Sequence, residues 1–199
     1  MLRNRAVRID GSEDIFVGNS LFQIKSGNTF QNVGHTEHVG FIGGKPGTMK
    51  STILRYIAAS GADGCEPFGF KLNLEGRKIV WFDGEQPRDV VVNSVNHITE
   101  LACSSDVESY LEMYELNGIS STADKEKELA RIIIQDLIVR KSQNMDNQAA
   151  VVIIDGLSNF CDIHNFDKVE RFMMKLMEAS KRMNAMFIVL SHLTANGDG

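Results

Sequence analysis

Residues 41–52 read Phe-Ile-Gly-Gly-Lys-Pro-Gly-Thr-Met-Lys-Ser-Thr, and no other segment of the chain constrains the fold as tightly. The residues before it, Glu37-His-Val-Gly-Phe-Ile, have the character of a short buried strand, and Ser51-Thr-Ile-Leu-Arg-Tyr-Ile-Ala-Ala opens a helix. Strand, Gly-rich turn and helix in that order match the phosphate-loop pattern G-x-x-x-x-G-K-[ST], with Gly44 as first glycine, Lys50 as lysine and Ser51 as hydroxyl. Met49 stands where the pattern has its last glycine. Backbone N–H groups at a helix start lack intrahelical acceptors, and the helix dipole favours negative charge there. The segment Gly44, Lys45, Pro46, Gly47, Thr48, Met49, Lys50, Ser51 and Thr52 is therefore read as a nucleotide-binding loop, with a triphosphate as its natural ligand. Lys45 either touches a phosphate or faces solvent. Met49 is expected at an ordinary helical φ, its side chain turned away from the phosphates into apolar cover.

The whole chain fits one domain: 199 residues bury a sizeable core without needing a second. A net charge of −5 argues against bulk electrostatic attraction to nucleic acid, though a local basic loop would be compatible with it. Cys65, Cys103 and Cys161 are odd in number and far apart, and read as reduced thiols in a cytoplasmic protein. The charged start, Met-Leu-Arg-Asn-Arg-Ala-Val-Arg, has no signal-peptide character, and no run reaches the roughly 18 apolar residues of a membrane span. No membrane partner is expected.

Five apolar stretches, residues 38–42, 78–83, 111–116, 150–155 and 186–191, alternate with helical ones at 51–60, 87–103, 124–142 and 166–184. Continuous runs such as Val-Val-Ile-Ile and Met-Phe-Ile-Val-Leu suit strands covered on both faces. The alternation predicts an α/β fold: three layers around a mainly parallel sheet, with ligands beyond the carboxyl ends of its strands. Residues 1–35 form an N-terminal extension in which 15–17 and 21–25 pair as a small hairpin around Gly18-Asn19, and 36–199 form the core.

Those strand ends carry carboxylates. Val151-Val-Ile-Ile-Asp155 is the Walker B pattern, and a magnesium ion among phosphate oxygens would take hard oxygen ligands from Ser51 directly and from Asp155 through water. Asp83-Gly-Glu-Gln86 places two acids two residues apart, where one could orient the attacking water and the other cap the helix that begins at Pro87. The spacing does not choose between them.

Taken in order, the Gly-rich loop, Asp83-Gly-Glu-Gln, Ile153-Ile-Asp-Gly-Leu-Ser and Ser191-His192 resemble the RecA-like ATPases of the P-loop NTPase class. The likeness covers about residues 36–199 and is strongest to the RepA-type branch related to hexameric replicative helicases. The resemblance implies that Glu85 is the catalytic glutamate, Asp155 the Walker B aspartate and His192 the sensor of the γ-phosphate, with Lys50 neutralising phosphate charge. It implies a sheet in which the Ser191-His192 strand lies between the loop strand and the Walker B strand. ATP and Mg2+ are the expected ligands. ATP hydrolysis coupled to replication or mobilisation of plasmid, phage or other mobile-element DNA is the expected role. Single-stranded DNA, a replication or mobilisation protein, and further copies of the full-length chain in a homo-oligomer are the partners implied. A nucleotide-gated assembly module with little turnover is the alternative, favoured by Met49 as Glu85 favours the enzyme.

Other features take plainer readings. His35 and His38 have ligand-like spacing but no accompanying ligand set. Val169, Phe172, Met173, Leu176, Met177 and Met183 form one helical core stripe and Leu129, Ile133 and Leu137 another, while Glu126-Lys-Glu and Arg140-Lys are solvated helix ends. Because RecA-like cores usually continue into further strands, the core is expected to lack its C-terminal strands and the 38–42 strand to lie at a sheet edge, covered by the extension or exposed.

Overall fold

The structure is a computed structural model that describes residues 20–45, 47–102, 104, 106–141 and 144–192. In chain order the strands are β1 (Ser20–Ser26), β2 (Thr29–His35), β3 (Val39–Gly44), β4 (Phe70–Leu72), β5 (Lys78–Asp83), β6 (Leu111–Glu115), β7 (Ala149–Asp155) and β8 (Met186–His192). The helices that matter to the site are α1 (Lys50–Ala59), α2 (Arg88–Ala102), α3 (Val107–Tyr110), α4 (Thr122–Arg131), α5 (Ile138–Arg140), α6 (Leu157–Phe160) and α7 (Phe166–Met183).

Strands β3-β8-β7-β5-β6 form one parallel sheet, the expected architecture, with β8 between the loop strand β3 and the Asp155 strand β7. The period-two alternation of a strand sorts its residues to two covered faces. Ile79 and Trp81 of β5 join Val151, Ile153 and Ile188 beneath Leu54, Ile57 and Ile98 of α1 and α2. Val80 and Phe82 join Val152, Ile154 and Val189 beneath Leu129 of α4 and Phe172 and Leu176 of α7. Every residue of β7 is buried, which explains its unbroken apolar run.

Helix ends follow local chemistry. The Ser121 hydroxyl caps α4 by accepting from the Asp124 N–H, and the Asn165 side-chain carbonyl caps α7 by accepting from the Lys168 N–H. Asn184 closes α7 at φ 52°, and the buried Arg77 donates to its carbonyl at 2.9 Å. The predicted 124–142 helix is interrupted: Ile132–Leu137 winds as a π-helix. That wider turn admits both Ile132 and Ile133 to the core alongside Leu129 and Leu137.

Three expectations need correction. Residues 21–25 do form a strand, but β1 pairs with β2 across the Gly27-Asn28 turn and with β4 on its other side; residues 15–17 lie outside the described residues. Gly27 is at φ 62°, the left-handed position a two-residue hairpin turn demands. In α7, Met177 is exposed and Met173 and Val169 only partly buried, because the helix docks on Phe172, Leu176, Ala179 and Met183. Arg140 is no solvated end: it pairs with Glu112 of β6 at 2.7 Å, and Lys78 of β5 holds the same carboxylate at 2.8 Å. Among the described residues β3 pairs with β8 alone, so the loop strand is an edge strand, and its Phe41 is exposed.

The Glu112 cluster ties α5 to the sheet. Burial pushes the Glu112 carboxyl up, but the hydrogen bonds and charges of Lys78 and Arg140 outweigh it and hold the group below its ordinary value of 4.5. A depressed carboxyl stabilises the fold above its ordinary value and loses that contribution as pH falls through the folded value. Glu112→Gln should therefore cost about 1 kcal/mol near neutrality, the group being partly exposed to screening. Urea unfolding over a pH series should show the gap between wild type and variant closing below the ordinary value of 4.5.

Candidate active site

Strand β3 ends at Gly44, and parallel pairing sets Gly44 directly beside His192 of β8. The chain then folds back on itself. The Thr48 hydroxyl and N–H both donate to the Lys45 carbonyl, at 2.7 and 3.3 Å. A Cβ at Gly44 would stand 2.7 Å from the Thr48 hydroxyl, so the tightness of this reversal requires a glycine. Lys50 is 5% exposed, and its ammonium donates to the Gly44 and Lys45 carbonyls at 2.8 and 2.7 Å. Lys45 is itself exposed, so its carbonyl, not its ammonium, is part of the loop's bonding. Pro46 lies outside the described residues. The first bond at the α1 start runs from the Ile53 N–H to the Met49 carbonyl, which leaves the N–H groups of Lys50, Ser51 and Thr52 without intrahelical acceptors.

Met49 departs from expectation. It enters α1 at φ 59°, ψ 19°, in the left-handed region, and its side chain is 73% exposed instead of lying in apolar cover. The turn from Gly47 (φ 77°) into the helix needs a second left-handed residue, and that demand overrides the cost of a Cβ there.

Across the sheet the carboxylates gather. Asp83 and Asp155 end neighbouring strands in register, and each is 4% exposed. The Asp83 carboxylate accepts from the N–H groups of Glu85 and Gln86 at 3.0 and 2.8 Å. Burial pushes it up, and these two hydrogen bonds pull only partly the other way. Asp83 thus holds the turn that precedes α2 and does not cap the helix itself, and the Glu85 side chain reaches 3.4 Å from His192 Nε2. His192 Nδ1 is buried with no partner among the described residues. The Asp155 carboxyl is pushed up to about 7, first by burial and then by Asp83 and Glu85, against the opposing pull of Arg55 and Lys50. Excess negative charge on hard oxygens is what a divalent cation would offset, so Ser51 and Asp155 fit a magnesium role. Among the described residues no three His, Cys, Asp or Glu side chains converge as a ready-made cage, and the His35 and His38 rings simply meet edge to face.

The carboxyl edge thus brings together Gly44, Lys50, Ser51, Asp155, Glu85 and His192 from four neighbouring strands and the α1 start. The AAA domain family matches residues 31–198. The chain belongs to that family. No curated protein matches the chain. An AAA domain built on this parallel sheet is a P-loop NTPase fold, a nucleotide-binding domain of the ATPase type. No helix among the described residues is long and apolar enough to cross a membrane. Of the cysteines, Cys65 and Cys161 form no disulfide among the described residues and Cys103 lies outside them.

Two residues of this AAA domain carry no mark in the motifs of the sequence. Arg55, one helical turn beyond Ser51, lends positive charge to Asp155 and has a buried Nε without a hydrogen-bond partner among the described residues; its i,i+4 spacing from Ser51 was the available signal. Lys125 of α4 is 8% exposed and donates to the Gly84 carbonyl at 2.6 Å. It sits among Asp, Glu and Lys residues that read as a solvated face, and nothing local marks it.

The strain at Met49 is testable. Met49→Gly should raise stability by about 1 kcal/mol and bind ATP at least as well as wild type, because glycine adopts φ > 0 without penalty. Met49→Ala keeps the Cβ and should show no such gain in denaturant unfolding.

Proposed function

We propose that this AAA domain binds ATP with magnesium and hydrolyses it as a RecA-like unit of the RepA-type branch. Its turnover would be coupled to replication or mobilisation of DNA. The observation that carries the reading is the Glu85 carboxylate, left out of the turn that Asp83 holds and lying 3.4 Å from His192, which is itself paired to Gly44 of the loop.

In this reading the Lys50 ammonium exchanges the carbonyls of Gly44 and Lys45 for the β and γ oxygens of the nucleotide, and free N–H groups at the α1 start receive the remaining phosphate charge. Ser51 and Asp155 would hold Mg2+, which when bound neutralises charge on the phosphates. Glu85 accepts a hydrogen bond from the attacking water and orients it in line. His192 spans the loop and Glu85, so a change at the γ-phosphate reaches both. Positioning and electrostatics supply the catalysis, and no covalent intermediate is needed. Single-stranded DNA, a replication or mobilisation protein, and further copies of the chain are the proposed partners.

A nucleotide-gated assembly module with little turnover is the second reading. It is favoured by the fully engaged Lys50, whose bonds of 2.7 and 2.8 Å to its own loop must be broken before phosphate can enter.

Calorimetry with ATP and a steady-state assay with and without single-stranded DNA separate the two. Lys50→Ala should weaken ATP binding at least about tenfold by removing a charge-assisted contact. Glu85→Gln should bind within about twofold of wild type and lose about 10²-fold or more in turnover. Equal loss of binding in both variants would contradict separate roles, and unchanged turnover in Glu85→Gln would favour the assembly module.

A further inference from the structure

The residue that links Asp83 to Glu85 is a glycine, the residue type least able to hold its own peptide plane. Its surroundings forbid any alternative. A Cβ at Gly84 would lie 2.9 Å from Asn159 Cβ and from the Phe160 ring. The Gly84–Glu85 peptide must therefore be held from outside, and two charged side chains grip its two ends. Its N–H, on Glu85, donates to the Asp83 carboxylate at 3.0 Å, and its C=O, on Gly84, accepts from the Lys125 ammonium at 2.6 Å.

Lys125 is not an ordinary surface lysine. It is 8% exposed, and among the described residues it forms no ion pair. An ammonium removed from water without a carboxylate partner is costly, and here its charge is directed at one backbone oxygen. A change of ψ at Gly84 that φ at Glu85 did not offset would turn that plane, displace the Glu85 Cα and carry the carboxylate away from His192.

We propose that Lys125 is a positioning residue for Glu85, acting from helix α4 through the Gly84 carbonyl. The inference rests on the reading of Glu85 as the water-orienting group. Helix α4, anchored after β6 by its Ser121 cap, then sets the orientation of a side chain on the neighbouring strand end.

The test uses the full chain carrying Lys125→Met, Glu85→Gln or both, with ATP binding by calorimetry, turnover, and NMR of the His192 imidazole. Lys125→Met should bind ATP within about threefold of wild type and lose at least about tenfold in kcat, since misplacement of a catalytic group by about 1 Å costs up to about 10²-fold. The double variant should be no slower than Glu85→Gln alone, because a residue that acts only through Glu85 has nothing left to position. The His192 imidazole signals should shift in Lys125→Met in the direction seen for Glu85→Gln. If Lys125→Met does not fold, Lys125→Gln, with a shorter neutral donor, should show the same pattern with a smaller loss in kcat.

Wild-type kcat in the lysine variants, unmoved imidazole signals, or a double variant clearly slower than Glu85→Gln would overturn the inference while leaving Glu85 in its role. A wild type without turnover, or full turnover in Glu85→Gln, would overturn the reading of Glu85 itself and this inference with it.

Discussion

Parallel hydrogen bonding between β3 and β8 pairs Gly44 with His192, and between β5 and β7 it pairs Asp83 with Asp155. Everything at the carboxyl edge depends on this register. A slip of one residue would send each strand's side chains to the opposite face and break both core layers at once. In β5, β7 and β8 successive residues are buried alternately above and below the sheet, so the positions of the polar strand ends follow from packing of the apolar residues behind them. The site's own chemistry contributes little to that alignment.

Charge is the second constraint. Asp83, Glu85 and Asp155 crowd one end of the sheet, and burial, followed by its two acidic neighbours, pushes Asp155 up to about 7. Two cations, Lys50 and Arg55, oppose this without cancelling it. The fold keeps such a cluster because each member is engaged differently. Asp83 is held by backbone N–H groups, Asp155 is the buried end of β7, and Glu85 is extended toward His192. A site with residual negative charge next to a helix start rich in free N–H groups suits a ligand that brings both anionic oxygens and a metal ion.

Backbone strain at Met49 and close packing at Gly84 mark the same region. Met49 holds a left-handed conformation that glycine would adopt without cost, and Gly84 holds a position that no side chain would fit. In both cases local geometry was set by what must converge nearby. At Met49 the loop must turn Lys50 inward; at Gly84 the turn must pass beneath α6. Strain of this kind is retained where the surrounding structure over-determines it.

The order of apolar runs, the Gly-rich segment and the polar strand ends were sufficient by themselves to determine the α/β class, the identity of β3, β5, β6, β7 and β8, and the candidates Lys50, Ser51 and Asp155, while Glu85 and His192 were singled out by the resemblance to RecA-like ATPases. These are local signals: unbroken apolar runs, helix-start chemistry and residues adjacent in sequence. What only the tertiary structure decided involves partners distant in the chain. The division of labour between Asp83 and Glu85 depended on which carboxylate the turn would use. Met49's conformation depended on the path between Gly47 and Lys50. The pairing of Arg140 with Glu112, the exposure of Met177 and the burial of Lys125 against Gly84 all arise from how elements dock. A lysine among acidic neighbours on an amphipathic helix reads as solvated, and only the approach of α4 to the end of β5 turns it inward, because burial is a property of the neighbour as much as of the residue.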